Sequence, residues 1–180
     1  VLVLAAATRP SIAMAEDVPH LSLHANAGTW RPTAAFVQYG AAEDARMLVI
    51  GLTWDWAWRR ELLGGALGGY WEASFGRWNA DNAPGAHGWF TQVGVTPVVR
   101  YAFGDERRWF AEAGIGANLL LPVYQTDDKR FSTTFNFGDH IAFGRRFGDL
   151  GKHIVSLRFQ HFSNASIRKP NPGENFVQLR

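Results

Sequence analysis

Large apolar side chains alternate with small or polar ones through several segments of this chain, and this alternation constrains the fold more than any other feature. It is clearest in residues 47–58, where one face would carry Leu48, Ile50, Leu52, Trp54, Trp56 and Trp58. The other face would carry Val49, Gly51, Thr53 and Asp55. Because successive side chains of a β-strand point to opposite sides, the pattern predicts a strand with lipid on one side and the lumen of a barrel on the other.

The same period of two recurs in segments that are separated by turn-rich, charged connectors: 34–41, 47–58, 66–77, 89–103, 109–119, 132–143, 152–163 and 174–180. Most are close to the length of about 9–11 residues that a tilted strand needs to cross a bilayer. We therefore predict an all-β fold for residues 32–180, an eight-stranded antiparallel up-and-down transmembrane β-barrel. The alternative is a soluble barrel or a β-sandwich with the bulky face inward, which would carry charges at a higher density on its opposite face.

Two groups of side chains have expected places in such a barrel. Aromatic residues near the strand ends are expected in the interfacial girdles: Trp54, Trp56, Trp78, Trp89, Tyr101 and Trp109. Polar and charged residues on the inner face are expected to form a buried network, because eight strands leave an interior that side chains fill: Glu72, Arg100, Glu112, Arg158 and Gln160.

The first 31 residues do not follow this pattern. An apolar stretch leads to Ala13-Met14-Ala15, which fits the cleavage site of a secretory signal, so residues 1–15 are interpreted as the remnant of a signal peptide. An ordinary apolar N-terminal segment is the alternative. Residues 16–31 are interpreted as an N-terminal extension without an assigned role. The last strand segment ends at Arg180 without a terminal aromatic residue, and we expect truncation at both ends.

Composition narrows the classes of function. The chain has no cysteine, which excludes disulfides and thiolate metal sites. The count of 18 Lys and Arg against 16 Asp and Glu is nearly balanced, so nucleic acid is not an expected partner. The six histidines are scattered and no acidic loop has calcium-binding spacing, so neither a metal nor a cofactor is expected. Asp127, Asp128 and His140 are interpreted as structural.

His161 and Ser163 are the candidate catalytic residues. Alternation through 153–163 places both on the apolar face, at the end of a stripe where hydrophobic side chains are expected. Residues two apart on a strand point the same way, with Cα atoms about 6.5–7 Å apart, so an imidazole can accept the proton of the neighbouring hydroxyl. The alternative is a pair of amphipathic residues at the membrane interface.

One long motif resembles a known family. HFSNA at 161–165 is followed by Pro170-Asn171 and Gly173, and weaker matches are TWDW at 53–56, GYW at 69–71, EAGIG at 112–116 and FNFGD at 135–139. In this order the motifs resemble the outer-membrane lipid A 3-O-deacylases, eight-stranded barrels that hydrolyse the ester-linked acyl chain at position 3 of lipid A. The resemblance covers Ala34 to Arg180.

The resemblance implies roles for individual residues. Ser163 would be the nucleophile, His161 the general base, and Asn164 a residue needed for activity, through the oxyanion hole. Asn171 is a secondary candidate for the same site.

The third member of the catalytic group departs from the family. The family has an acidic residue fourteen positions after the histidine, where this chain has Asn175, with Glu174 one position earlier. Strict alternation places Asn175 beside His161 and turns Glu174 toward the lumen, although a bulge near Gly173 would rotate Glu174 outward. We favour Glu174, because a carboxylate also stabilises the imidazolium of the transition state. Asn175 as the residue that orients the imidazole is the alternative.

The predicted function is therefore a serine esterase of the bacterial outer membrane that deacylates lipid A. Its expected partners are lipid A, or lipopolysaccharide, and the surrounding lipid, and a homodimer is left open. Arg168 and Lys169 would bind lipid A phosphates or form a solvated basic loop. The rival functions are a non-enzymatic small barrel, structural or binding a hydrophobic ligand, and, ranked lower, a calcium-dependent phospholipase barrel.

Overall fold

A computed structural model describes residues 31–81 and 88–180. The signal remnant predicted at 1–15 lies outside the described residues, as does the predicted extension at 16–31 except for Arg31. Within the described ranges, no helix has the length and apolarity needed to cross a membrane.

The described chain is built from antiparallel strands. They are β1 (Ala34–Ala41), β2 (Ala45–Asp55), β3 (Arg60–Leu62), β4 (Gly65–Ala80), β5 (Trp89–Phe103), β6 (Trp109–Leu121), β7 (Phe135–Phe147), β8 (His153–Ser163) and β9 (Glu174–Leu179). Short 3-10 turns at Asp105–Arg107 and Asp149–Gly151 connect β5 to β6 and β7 to β8. Each strand pairs with its neighbours in the order β2-β1-β9-β8-β7-β6-β5-β4-β3.

Pairing between β2 and β4 closes this sheet into a barrel. β3 stays outside the closed ring, as a short arm that pairs with the start of β4. The predicted eight-stranded antiparallel barrel is confirmed, whereas β3 falls in a segment interpreted as a connector. Its three residues are too few for an alternating pattern to be recognised.

Apolar side chains cover the outer face of the barrel. Ile141 is 65% exposed and Leu157 is 60% exposed, and both point away from the lumen, as do Leu48, Ile50, Phe143, Val155 and Phe159. The inner face is polar, with Glu72, Glu112, Arg158 and Gln160 all buried. This arrangement reverses that of a soluble barrel, so the soluble alternative is wrong, and it is the arrangement that a lipid bilayer requires.

The polar lumen is organised around two carboxylates. Glu72 binds Arg158, with Nη2 and Oε2 3.1 Å apart, and also binds Arg180. Glu112 binds Arg100 and accepts a hydrogen bond of 3.0 Å from the hydroxyl of Tyr70. The predicted interior network is therefore present, and it joins strands on opposite sides of the barrel.

An aromatic cluster fills the lumen near the end where β8 finishes. Trp78 lies at its centre, with its ring centroid 4.8 Å from that of Phe162 and 4.7 Å from that of Phe176. Tyr124 and Phe131, from the connection 122–134, pack against the same cluster. The prediction of Trp78 in the outer girdle is wrong, because Trp78 continues the inward-facing positions of β4 and is 0% exposed. Trp89 and Trp109 do lie on the outer face.

Candidate active site

Three polar side chains lie side by side on the outer face of the barrel. Asp139 on β7 pairs with His161 on β8, and His161 pairs with Asn175 on β9. Ser163, the last residue of β8, lies two positions beyond His161 on the same face. The regular register of the three strands therefore brings a polar group together on an otherwise apolar surface.

The imidazole of His161 is held from β9. Its Nδ1 lies 2.7 Å from Oδ1 of Asn175. Since Oδ1 is a carbonyl oxygen and accepts, Nδ1 carries the proton and donates, and Nε2 is left with a free lone pair. With Nδ1 held by Asn175, Nε2 is the ring nitrogen that can act as a base.

Glu174 does not join this group. It pairs with Phe162 in unbroken register, so no bulge turns it outward, and it is 1% exposed on the lumen side. Its carboxylate accepts hydrogen bonds from the hydroxyl of Tyr124 at 2.8 Å and from Nζ of Lys129 at 2.9 Å. The expected outward rotation of Glu174 is therefore wrong, because the two donors from the connection 122–134 hold it inside.

The charge of Glu174 changes the pKa values of Tyr124 and Lys129, the two side chains that donate to it. Burial raises the pKa of the Tyr124 phenol, and the carboxylate of Glu174 raises it further. Burial alone would lower the pKa of Lys129, but the hydrogen bond and the charge of Glu174 outweigh burial and raise it. Glu174 thus acts as an anchor that fastens the connection 122–134 to the start of β9.

The backbone turns sharply after Ser163. Ala165 and Ser166 both adopt left-handed φ values, 51° and 63°, and the N–H of Ile167 donates to the carbonyl of Asn164 at 3.0 Å. This turn directs the N–H of Ala165 toward Oγ of Ser163, at a distance of 3.5 Å. A backbone donor therefore lies next to the candidate nucleophile.

Asn164 is the anchor of this turn. It is 1% exposed, and its Nδ2 donates to Oγ of Ser132 at 2.9 Å and to the carbonyl of Arg168 at 2.8 Å. Its backbone N–H donates to Oδ1 of Asn171 at 2.9 Å. The side-chain N–H groups of Asn164 are thus engaged within the protein, and the structure does not bring them to the oxyanion position that we expected from the sequence.

Ser132 is a site residue that the sequence did not reveal. Besides accepting from Asn164, its hydroxyl donates to the carbonyl of Arg168 at 2.8 Å. It lies in a connection more than thirty positions from Asn164, and no periodic pattern links the two. Asp139 was also missed, although it interrupts the apolar stripe of Phe137 and Ile141, and that interruption is a readable signal.

Gly173 packs directly against His161. A Cβ atom at this position would lie 2.5 Å from Cε1 of the imidazole, and the backbone has a φ of 72°. Both the close approach and the left-handed conformation require glycine. Arg168 and Lys169 are exposed in the connection 164–173, on the side of the barrel end that carries Ser163.

An apolar groove of about 550 Å³ lies on the outer face beside His161 and Asp139. Its walls are formed by Pro97, Val99, Ala113, Ile115, Ile141 and Phe159. No cluster of three potential metal ligands of the His, Asp or Glu type occurs in the ranges 31–81 and 88–180. The site thus combines a hydroxyl, an imidazole held by Asn175 and a backbone donor at the edge of an apolar surface, an arrangement suited to the hydrolysis of a lipid ester.

Comparison with known proteins agrees with this chemistry. The family model described as lipid A 3-O-deacylase (PagL) matches residues 48–180. The lipid A deacylase PagL of Bordetella bronchiseptica is 34% identical over 152 residues, which are 79% of this chain and 78% of that protein. Its namesake from Pseudomonas aeruginosa is 34% identical over 128 residues, which are 69% of each chain.

The fold is shared with a solved structure as well. The crystal structure of the outer membrane enzyme PagL superposes with a TM-score of 0.66 at 29% identity, and the match covers 81% of this chain and 96% of that one. A match of this extent, together with the family model, identifies the chain as an ester hydrolase of the outer-membrane barrel type. The chain belongs to the lipid A 3-O-deacylase family.

Proposed function

We propose that this protein removes the 3-position acyl chain of lipid A by an acyl-enzyme mechanism, with Ser163 as the nucleophile and His161 as the general base. The observation that carries the proposal is the hydrogen bond of 2.7 Å between Nδ1 of His161 and Oδ1 of Asn175. His161 lies two positions before Ser163, on the same face of β8. Asn175 takes the orienting role in place of Glu174. The catalytic group is thus Ser-His-Asn.

Proton transfers through His161 drive both halves of the reaction. Nε2 accepts the proton of Ser163 as Oγ attacks the ester carbonyl. The imidazolium then gives this proton to the 3-oxygen of lipid A as its bond to the acyl carbon breaks, which leaves a free 3-hydroxyl. The ester is then carried by Ser163. A water molecule, deprotonated by the same Nε2, attacks this acyl-enzyme. The bond from the acyl carbon to Oγ breaks, the imidazolium returns the proton to Oγ, and the fatty acid is released.

Substrate binding has to bring Ser163 into line with His161. In the free protein Oγ accepts from the N–H of Ala165. A rotation about χ1 turns the hydroxyl toward Nε2, and catalytic hydrogen bonds in free enzymes commonly tighten only when substrate binds. Once Oγ attacks, the N–H of Ala165 is near the developing oxyanion, and Asn164 holds the turn that presents it.

The position of the site suits a substrate that stays in the membrane. The Ser163 end carries the long connections 122–134 and 164–173, whereas two of the connections at the opposite end are short 3-10 turns, which supports assigning the Ser163 end to the outer side of the outer membrane. A lipid A molecule in the outer leaflet then reaches Ser163 laterally, with an acyl chain against the apolar groove. Arg168 and Lys169, exposed on the connection 164–173, would bind its phosphates.

The test is mass spectrometry of lipid A after incubation with the refolded protein in detergent. We expect the loss of one 3-hydroxyacyl chain with the parent protein and with a chelator present, and no loss with Ser163→Ala. Unchanged lipid A with a barrel that is verified as folded would contradict the proposed function. Fatty acid released by Ser163→Ala at the parent rate would contradict the assignment of the nucleophile.

A further inference from the structure

Two arginines lie on the lipid-facing side of the barrel, at the end that carries Ser163. Arg46 is the second residue of β2 and Arg77 lies near the end of β4, and both side chains are exposed. The next outward residues toward the middle of the barrel are Leu48 and Phe75, which are 54% and 49% exposed on the apolar surface. The two guanidinium groups thus lie where the apolar band meets the polar rim.

The register of β2 and β4 brings the two arginines close together. Arg46 pairs with Asn79, and Arg77 lies two positions before Asn79 on the same face. Diagonal neighbours of this kind are about 7–8 Å apart, which is within reach of long side chains. Two guanidinium groups can therefore contact one anion at the same time.

Contacts within the protein hold both side chains at this level. Nη1 of Arg46 donates to the carbonyls of Ala42 and Ala45, at 2.9 Å and 3.0 Å. Nη1 of Arg77 donates to the hydroxyl of Thr91, and its guanidinium lies over the ring of Trp89, 5.6 Å from the centroid. A guanidinium carries five N–H donors, so both side chains keep donors for an acceptor outside the protein.

The protein does not neutralise these two cations. In the ranges 31–81 and 88–180, neither guanidinium forms an ion pair with a carboxylate. Glu43, Asp44 and Asp81 belong to the adjoining rim but do not pair with them. A cation at the edge of a bilayer is most favourable where water or an anionic headgroup contacts it. The surrounding membrane can supply such a headgroup.

The pair of arginines is far from the candidate active site. In the closed ring of eight strands, β4 is four strands away from β8 in either direction, and β2 is three strands away by the shorter path. At a spacing of about 4.8 Å between strands, this is about 14–19 Å around the wall. A lipid bound by Arg46 and Arg77 is therefore a different molecule from the one that Ser163 attacks.

We propose that Arg46 and Arg77 bind a phosphate group of a second lipid A molecule, which lies in the outer leaflet and is not deacylated there. The inference rests on the proposed function in one respect, the assignment of the Ser163 end to the outer side of the membrane. Guanidinium groups bind phosphate oxygens through paired N–H donors, and two of them match the charge of a phosphate monoester.

The surface next to the arginines suits the rest of such a lipid. Phe75 and Val93 are direct partners on the outer face, one step nearer the middle of the barrel than Arg77 and Thr91. They face the acyl chains of a lipid whose phosphate is at Arg77. Trp89 is 56% exposed on the polar side of Arg77, at the headgroup level where tryptophan is enriched.

The experiment counts the lipid A molecules bound to the refolded full chain in detergent, by native mass spectrometry. Ser163→Ala is the background, so that bound lipid is not hydrolysed. We expect one lipid A fewer in Arg46→Gln/Arg77→Gln than in the background protein. Each single substitution is expected to weaken binding of this lipid by about five- to tenfold, because a charge-assisted contact with phosphate is lost. Arg46 also bonds the turn before β2, so Arg77→Gln alone carries the test if the double variant does not fold.

The matched control is Arg145→Gln. Arg145 is also exposed on the outer face and lies over a tryptophan, 5.0 Å from the ring centroid of Trp109, but at the opposite end of the barrel. We expect the number of bound lipid A molecules to stay at that of the background protein. An equal loss in Arg145→Gln would show a general effect of arginine at the membrane interface and would overturn the inference.

Two further ligands identify the group that is bound. Dephosphorylated lipid A is expected to show no dependence on Arg46 or Arg77, and inorganic phosphate at millimolar concentration is expected not to displace lipid A. Displacement by inorganic phosphate would overturn the assignment to a lipid.

The outcome for binding is independent of the outcome for catalysis. A parent protein that does not hydrolyse lipid A, but whose Ser163→Ala form keeps the arginine-dependent lipid, would contradict the proposed function alone. Equal numbers of bound lipid A in the background protein and a folded Arg46→Gln/Arg77→Gln variant would overturn the second site, whether or not the parent is active.

Discussion

Nδ1 of His161 and Oδ1 of Asn175 lie 2.7 Å apart across the β8–β9 pair, so an amide performs the orienting task that a carboxylate performs in most serine hydrolase triads. The bond fixes both the tautomer and the direction of the ring. It is formed between two strands in regular register, and it does not depend on the conformation of a loop.

The first prediction concerns this bond. Asn175→Ala removes the acceptor, so the imidazole loses its fixed tautomer, and we expect kcat to fall by about a hundredfold while KM changes little. Asn175→Asp keeps an acceptor at the same atom and retains most of the rate. Initial rates of fatty acid release check both variants. Asn175→Ala with the parent kcat would contradict the orienting role.

The second prediction concerns the contact between Gly173 and the imidazole. In Gly173→Ala the new Cβ would lie 2.5 Å from Cε1 of His161, so the ring or the connection has to move, and we expect kcat to fall at least about tenfold. The left-handed backbone at Gly173 adds roughly 1 kcal/mol of strain.

The control for this prediction is Gly64→Ala. Gly64 has a comparable φ of 78°, but a Cβ there would have no neighbour within 4 Å. It carries the backbone strain without the contact, and we expect the parent kcat. If both variants lose the same activity, backbone strain and not the contact with His161 is the cause.

Much of this architecture follows from the alternation in the sequence, because the barrel assigns each strand residue to lipid or lumen with a period of two. The same rule places Asn175 beside His161 and Glu174 in the lumen. The need for a negative charge beside the imidazolium favours Glu174 as the third catalytic residue. The side chain of Glu174 nevertheless points into the lumen, because Tyr124 and Lys129 bind its carboxylate there. Contacts of this kind, between connections distant in the chain, leave no periodic signal.

Asn164 and Ser132 illustrate the same limit. The resemblance to the family drew attention to Asn164 as a residue needed for activity, but its bonds to Ser132 and to the carbonyl of Arg168 depend on how two connections fold over one end of the barrel. Nothing in the local sequence of residues 131–134 indicates that a serine there supports the turn after Ser163.

The third prediction follows from that contact. Ser132→Ala removes the acceptor for Asn164 Nδ2 and the donor to the carbonyl of Arg168, and each lost hydrogen bond costs about 1 kcal/mol. We expect the connection 164–173 to be cleaved faster by protease and kcat to fall a few-fold. Ser156→Ala, which alters a buried serine in the opposite half of β8, is the control and keeps the parent rate. An unchanged cleavage rate in Ser132→Ala would show that the turn holds without this contact.

The fourth prediction concerns Glu174 as an anchor and not as a catalytic group. Glu174→Gln removes the charge that binds Lys129 and weakens the bond from Tyr124, so we expect the free energy of unfolding in urea to fall by about 1–3 kcal/mol. Because Glu174 does not contact His161, kcat stays within a few-fold of the parent. A loss of kcat as large as that of Ser163→Ala, in a folded barrel, would return Glu174 to the catalytic group.

The fifth prediction concerns pH. The bonds of Glu174 to Lys129 and Tyr124 make the thermal stability of the protein depend on pH in the alkaline range. The pKa values of Lys129 and Tyr124 are raised in the folded protein above the ordinary values of 10.5 and 10.0. The contribution of these two groups to the free energy of unfolding is therefore complete below the ordinary values, and it is lost as the pH rises through the raised values. We therefore expect the thermal stability of the parent to decline above about pH 10. In Glu174→Gln the carboxylate no longer raises either pKa, although burial still raises that of Tyr124, so this decline is smaller. The measurement is the melting temperature of the two proteins between pH 8 and about 11. An equal fall of melting temperature with pH in both would show that the bonds of Glu174 do not govern stability at alkaline pH.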